Sequence, residues 1–291
     1  MGVPVRLPDG RALGVERLGR PGGTPVLAFH GLPGSRLDFL SESRACGQAG
    51  VELIAVDRPG FGLSSPSPGR VPLDWARDVA ALANALELER FGVLGYSAGA
   101  KYALACAFAL PERLEAAAIV SGSGPPEMPG WEDGMIPPER LVQWASLHAQ
   151  PLARGCWALL GVLARRLPGP VMEGFARSLD GPDRELADEP RVREALRLSL
   201  LEGLRQGGAA TVEDYAIEGR GWGFDLASIE VPVMLWHGDR DDEVPLAHAR
   251  WLAARIPGAT LEIVENAGHL IFGRLAPVAA ALREATTPRT A

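Results

Sequence analysis

Lysine is nearly missing from this chain: Lys101 is the only one, and the other 28 of the 29 basic residues are arginines. With 35 glycines, 25 prolines and abundant alanine, this points to the codon bias of a GC-rich bacterial genome, since arginine-for-lysine exchange is not a general mark of thermal adaptation. Positive charge is short overall. Against 36 acidic residues the formal net charge is −7, a balance that keeps a protein soluble and gives no reason to expect nucleic acid or a membrane as partner. Cysteine is scarce too. Cys46, Cys106 and Cys156 are odd in number and far apart, which fits neither a disulfide framework nor a metal-ligand spacing. Cys106, in an Ala-rich stretch, is expected to be a small core residue. No apolar run approaches the roughly 18 residues of a membrane span, and the first residues lack the apolar core of a signal peptide. The expected location is therefore the cytoplasm.

What the chain does have is a repeated strand signal. Val3 to Leu7 and Ala12 to Leu18 flank Pro8-Asp9-Gly10, the chemistry of a hairpin turn. Short bounded apolar runs follow at Pro25–Phe29, Val51–Val56, Phe91–Leu94, Ala116–Val120, Val231–Trp236 and Leu261–Val264. Such runs suit strands buried on both faces, the pattern of a parallel sheet. Helical segments separate them: Asp74–Leu88, Ala98–Leu110, Leu246–Ile256 and Pro277–Ala285. The alternation predicts an α/β protein with a doubly wound, mostly parallel sheet.

One long stretch interrupts the alternation. Between Val120 and Val231 there is little strand signal, yet Trp131, Trp144, Trp157 and Phe175 stand on segments of helical character punctuated by prolines and by Gly207-Gly208. A structureless loop of that length is improbable. Residues 125–206 are therefore expected to form a helical cap inserted into a core made of residues 1–124 and 207–291.

The chemistry-bearing motif is Gly95-Tyr96-Ser97-Ala98-Gly99, where an apolar strand runs straight into a helix. This spacing puts the serine on a sharp strand-to-helix turn, with small residues two before and two after so that neighbouring backbones can approach. The helix N-terminus aims unpaired N–H groups at the same place. A serine hydroxyl needs a base and an orienting acid to act as a nucleophile. In such a fold they follow in the order serine, acid, histidine. His269, in Gly268-His269-Leu270 just after the last strand, is the expected base. His30 and His237 both end strands before a glycine and are expected to shape loops, while His148 falls in the insertion and His248 on a helix. The acid must follow the strand ending at Trp236, where Asp239, Asp241, Asp242 and Glu243 all qualify on chemistry alone.

Together these segments resemble the α/β-hydrolase superfamily, serine-nucleophile type with a helical cap, over most of the chain. Four blocks carry the likeness. They are His30-Gly31-Leu32-Pro33-Gly34-Ser35, Asp57-Arg58-Pro59-Gly60-Phe61-Gly62-Leu63-Ser64, the Ser97 segment, and the pair His237-Gly238…Val244-Pro245 with Gly268-His269. The family's acid stands four residues before the proline of its D-x-x-V-P block, which selects Asp241, with Asp239 as the alternative. The resemblance also implies an oxyanion hole made by the backbone N–H groups of Leu32 and Ala98. The Asp57–Ser64 block is expected to be scaffold beneath the site.

Branches of the family with an aspartate nucleophile are excluded by Ser97. Esterases, lactonases, C–C bond hydrolases and cofactor-free haloperoxidase- or perhydrolase-like enzymes remain. The expected function is hydrolysis of an ester-type bond in a small, hydrophobic substrate through Ser97, Asp241 and His269, with no metal or organic cofactor. A ligand receptor of the same fold with vestigial hydrolysis is the alternative from another class. Tyr96, Trp131 and Trp144 are candidates for the pocket wall; the competing expectation is that the tryptophans only pack the insertion's helices. The oligomeric state is not legible.

Overall fold

The computed structural model describes residues 2–179, 181–270 and 274–286; residues 1, 180, 271–273 and 287–291, which fall within the expected cap and core, lie outside them. Among the described residues eight strands form one sheet: β1 (Val3–Arg6), β2 (Ala12–Gly19), β3 (Thr24–Phe29), β4 (Val51–Val56), β5 (Phe91–Tyr96), β6 (Leu114–Val120), β7 (Val233–Gly238) and β8 (Thr260–Val264). Their order is β1-β2-β4-β3-β5-β6-β7-β8. β1 and β2 make the expected hairpin, with Gly10 at φ +87° in its turn. β2 also pairs antiparallel with β4, and every remaining pairing is parallel.

Core helices are α1 (Ser43–Ala49), α2 (Pro72–Ala85) and α3 (Ala100–Ala109). Between β6 and β7 six helices follow in succession: α4 (Pro137–His148), α5 (Gln150–Arg166), α6 (Pro168–Ser178), α7 (Gly181–Asp188), α8 (Pro190–Gly203) and α9 (Ala209–Glu218). Five of these six, counted among the described residues, carry proline in their first turn, where its fixed φ suits the helix and its missing N–H is not needed. The prolines that punctuate the stretch thus start helices rather than break them. The chain closes with α10 (Ala247–Arg255) and α11 (Ala276–Thr286).

Alternate strand residues feed two cores. Leu27, Phe29, Ile54, Val56 and Val93 pack against α2, α3 and α10, with Trp75 edge-on to Phe29 at 5.2 Å. Val26, Ala28, Leu53, Ala55 and Leu94 pack on the other face against α1 and α11. Both faces of β3, β4 and β5 are therefore dry, which is why their sequences run apolar without alternation. Cys106 and Cys46 sit in these cores, and Cys156 is exposed.

The helical stretch is tied down by charge. Asp214 on α9 is fully buried against Arg58 and Arg70, and the Tyr102 hydroxyl donates to it at 2.7 Å. Burial pushes the Asp214 carboxyl up, but the Coulomb pull of Arg58, Arg70 and Lys101 outweighs it and holds the group well below the ordinary range.

Strand order also decides where a site can form. From β3 the chain moves one way to β4, then jumps back to β5 on the opposite side of β3. At such a reversal the loops leaving β3 and β5 diverge, and the crevice at their carboxyl ends is open. Residues 30–32 leave β3 there, and Ser97 leaves β5.

Candidate active site

Ser97 has φ +51°, a left-handed conformation that costs free energy in a non-glycine residue. The packing around it imposes that turn. A Cβ at Gly95 would meet the Gly99 carbonyl oxygen at 2.6 Å, and one at Gly99 would meet the Phe29 carbonyl oxygen at 2.2 Å. Only glycine lets β5 bend into the short turn Ser97–Gly99 that starts α3 while β3 runs alongside. The residue between the two loops is equally constrained: a Cβ at Gly31 would lie 3.2 Å from the Ser97 Cβ. The His30-Gly31-Leu32 segment therefore passes beside the serine. His30 is buried and braces this loop, donating from Nδ1 to the Gly31 carbonyl (2.8 Å) and accepting the Arg58 N–H at Nε2 (3.1 Å).

His269 reaches Ser97 from the loop after β8. Its Nε2 lies 2.9 Å from Ser97 Oγ and its Nδ1 lies 2.9 Å from Asp241 Oδ2. Asp241 Oδ1 accepts the backbone N–H groups of Val244 (2.8 Å) and Glu243 (3.1 Å), and His237 Nε2 stands 3.2 Å from Oδ2. A carboxylate fed by so many donors is held ionised, so in the neutral imidazole the His269 proton belongs on Nδ1 and Nε2 accepts from the serine. Asp239 is exposed, and its carboxylate accepts the Ala267 N–H at a long 3.4 Å. The two aspartates, equivalent on chemistry alone, are thus placed very differently.

Among the described residues three hold the histidine by its backbone. Asp183 on α7 accepts the N–H of His269 at 2.7 Å and that of Leu270 at 2.9 Å. The Ser121 hydroxyl donates to the His269 carbonyl at 3.0 Å, and Tyr96 Oη lies 3.5 Å from it. Asp183 carries no motif and lies 86 residues away in sequence, so no local signal could have found it.

The electrostatics are dominated by acids. Burial lowers the His269 pKa, but Asp241, then Glu243 and Asp183, raise it by more, and the net direction is well above an ordinary histidine. Burial raises Asp241, and the pull of His269 and His237 takes it well below the carboxylate range. Glu139 on α4 is pushed up to about 8 by burial and then by Glu243 and Glu218, so it keeps its proton at neutral pH. Among the described residues no group of three or more His, Cys, Asp or Glu side chains is arranged to hold a metal ion.

A cavity of about 500 Å³ opens over Ser97 and His269. Tyr96 and Leu32 line it from the core, and Trp157, Phe175, Met172, Leu200 and Tyr215 line it from the inserted helices. The two tryptophans expected in its wall are elsewhere. Trp131 donates its indole N–H to the Gly124 carbonyl (2.7 Å), and Trp144 is 56% exposed beside His148. Helical phase explains this, because Trp144 lies on the outer side of α4 while Glu139 and Val142 face the cavity. Trp157 takes the place instead, stacked over Tyr215 at 6.2 Å. The arrangement can accept a small apolar molecule and withdraw the proton of Ser97 beside it.

Comparison with known proteins bears on the family and the fold. A sequence model described as the alpha/beta hydrolase family matches residues 26–281. The chain is 28% identical over 259 residues to the dihydrolipoyllysine-residue acetyltransferase component of the acetoin cleaving system of Cupriavidus necator, covering 87% of this chain but only 61% of that protein. It is 29% identical over 263 residues to the poly(3-hydroxyalkanoate) depolymerase of Ectopseudomonas oleovorans, covering 88% of this chain and 81% of that one. In structure it is similar to a thermophilic esterase from Thermogutta terrifontis, with a TM-score of 0.69 at 24% identity over 98% of this chain and 97% of the other.

Proposed function

The chain belongs to the alpha/beta hydrolase family, and from that premise we propose that it is a serine esterase acting on a small, hydrophobic carboxylic ester. The observation that carries the reading is the hydrogen-bonded series Ser97 Oγ, His269 Nε2, His269 Nδ1, Asp241 Oδ2 at 2.9 Å and 2.9 Å beneath an apolar cavity. Likeness to a depolymerase of poly(3-hydroxyalkanoate) supports it.

Ser97 Oγ attacks the ester carbonyl carbon as His269 Nε2 takes its proton. Asp241 holds the imidazole in the Nδ1–H tautomer and stabilises the imidazolium that forms. The negative charge on the carbonyl oxygen is met by the N–H groups of Leu32 and Ala98, each such donor being worth roughly 2.7–4 kcal/mol of transition-state stabilisation. His269 then returns the proton to the leaving alcohol, and water deacylates Ser97 by the same steps in reverse order. The helices α4–α8 act as a lid whose inner face selects the acyl or alcohol group, and the protonated Glu139 beside Tyr215 offers one hydrogen-bond donor there.

Steady-state turnover on chromogenic esters of graded chain length tests the reading, with Ser97→Ala as its control. Hydrolysis that favours apolar chains and falls roughly 10⁴-fold or more in the variant is expected. Undiminished hydrolysis by Ser97→Ala, or no turnover of any ester by the native protein, overturns it.

A further inference from the structure

Ten large hydrophobic side chains are exposed among the described residues, and seven of them fall between Leu141 and Leu167. They concentrate on α5, where Leu152, Leu159 and Leu163 are 68%, 58% and 39% exposed. The opposite side of that helix is apolar as well: Ala153, Gly161 and Ala164 are buried, and Trp157 and Leu160 face the cavity. Apart from Arg154, Arg165 and Arg166 the helix is therefore apolar on its outer as well as its inner side, and a cluster of exposed apolar side chains marks a surface that something covers.

Charge identifies the cover. Residues 140–172 contain Arg140, Arg154, Arg165 and Arg166 and no acidic residue, although acids make up 36 of the chain's 291 residues. All four arginines are exposed. A second copy of this chain seated on α5 would set arginine against arginine, with no acid on the helix to pair them. An anionic surface meets both properties at once. The net charge of −7 does not prevent this, because charges more than about 10 Å away are largely screened at physiological salt.

We propose that the outer face of α5, with the adjoining end of α4, docks the protein on an anionic lipid bilayer. The leucines enter the boundary between headgroups and acyl chains, and the arginines lie against the anionic headgroups. α5 is 17 residues long and lies in the surface rather than crossing it. Lipid on its outer side is then one helix diameter, about 10 Å, from the cavity on its inner side.

The experiment is co-sedimentation with vesicles of phosphatidylcholine alone and of phosphatidylcholine with a one-third share of phosphatidylglycerol. Binding is measured without reference to hydrolysis, so it stands or falls apart from the esterase reading. The native protein is expected to sediment with the anionic vesicles and to be released by high salt. Arg154→Gln with Arg166→Gln should lower the partition coefficient about 30-fold, the equivalent of about 1 kcal/mol for each basic residue near an anionic surface. Leu152→Ser, Leu159→Ser and Leu163→Ser combined should abolish binding while hydrolysis of a short soluble ester is unchanged, which also shows that the variant is folded. No binding to the anionic vesicles, or equal binding to both compositions, overturns the proposal. So does a dimer in sedimentation velocity that the leucine variant dissolves, since the face would then be covered by a second copy.

Discussion

Asp183→Ala removes a carboxylate that touches neither Ser97 nor any side chain of the hydrogen-bonded series, yet it should be among the most damaging single changes in the inserted helices. In the native protein its two oxygens accept the His269 and Leu270 N–H groups at 2.7 Å and 2.9 Å, and Asp183 is buried. Hydrogen bonds to a charged group are worth about 1.5–3 kcal/mol each, and a buried N–H left without a partner adds a penalty of similar size. Several kcal/mol of restraint on the histidine loop is therefore at stake. Ser121 and Tyr96 still hold the carbonyl side, so the loop should shift rather than unfold. A displacement of about 1 Å at the base costs on the order of 10²-fold in rate. The expected result is a fall in kcat of roughly 10²-fold with KM within a few-fold, because apart from Leu270 the apolar cavity wall is untouched.

The pH profile gives a second and independent reading. Asp183 is one of the acids that raise the His269 pKa, after Asp241 and Glu243. The imidazole acts as a base only when neutral, so a raised pKa moves the acid limb of kcat/KM to higher pH. Removing the Asp183 charge lowers that pKa, and the limb should move toward lower pH in both Asp183→Ala and Asp183→Asn. Asn keeps one acceptor oxygen, so its loss of kcat should be smaller while its limb shifts by a similar amount. Kinetics on a chromogenic ester across about pH 5 to 10 separate the two effects. A native kcat in Asp183→Ala together with an unmoved acid limb would refute the reasoning.

Asp241→Asn should lower ester hydrolysis on the order of 10³- to 10⁴-fold, whereas Asp239→Asn should stay within a few-fold; the reverse ranking in kcat would transfer the acid's role to position 239. Asp214→Ala leaves Arg58 and Arg70 buried without their shared carboxylate, so urea unfolding should show a loss of about 3–5 kcal/mol. Under native conditions an alkylating reagent should modify one thiol, Cys156. Cys46 and Cys106 are buried, and burial pushes the Cys46 thiol up to about 12; mass spectrometry should find all three modified only after denaturation.

Much of the fold was legible because its central strands are buried on both faces and its helices are not. Unbroken apolar runs mark the parallel strands, and these together with the antiparallel β1 and β2 lie within a few residues of the expected spans. The run Arg36–Ala49, which folds as a short turn of helix and α1, escaped notice. It has only Cys46 buried on α1 and so little periodicity. The pocket wall was less legible still. Trp144 and Trp157 both stand on amphipathic helices, and which of them faces the cavity depends on how α4 and α5 are rolled against α8 and α9.

Local sequence was thus enough for everything that a single turn or strand determines. The strained serine needs glycine two places before and after it, the turn residues follow from backbone sterics, and these constraints act over a few bonds. Tertiary structure decided whatever depends on two distant segments meeting. It separates Asp241 from Asp239, because only one of them points back toward His269 when β7 and β8 lie side by side. It recruits Asp183 from the inserted helices to pin the His269 backbone, and it turns the leucines of α5 outward. A residue's partners across the sheet are set by packing, and packing energy is shared over the whole core rather than written near the residue itself.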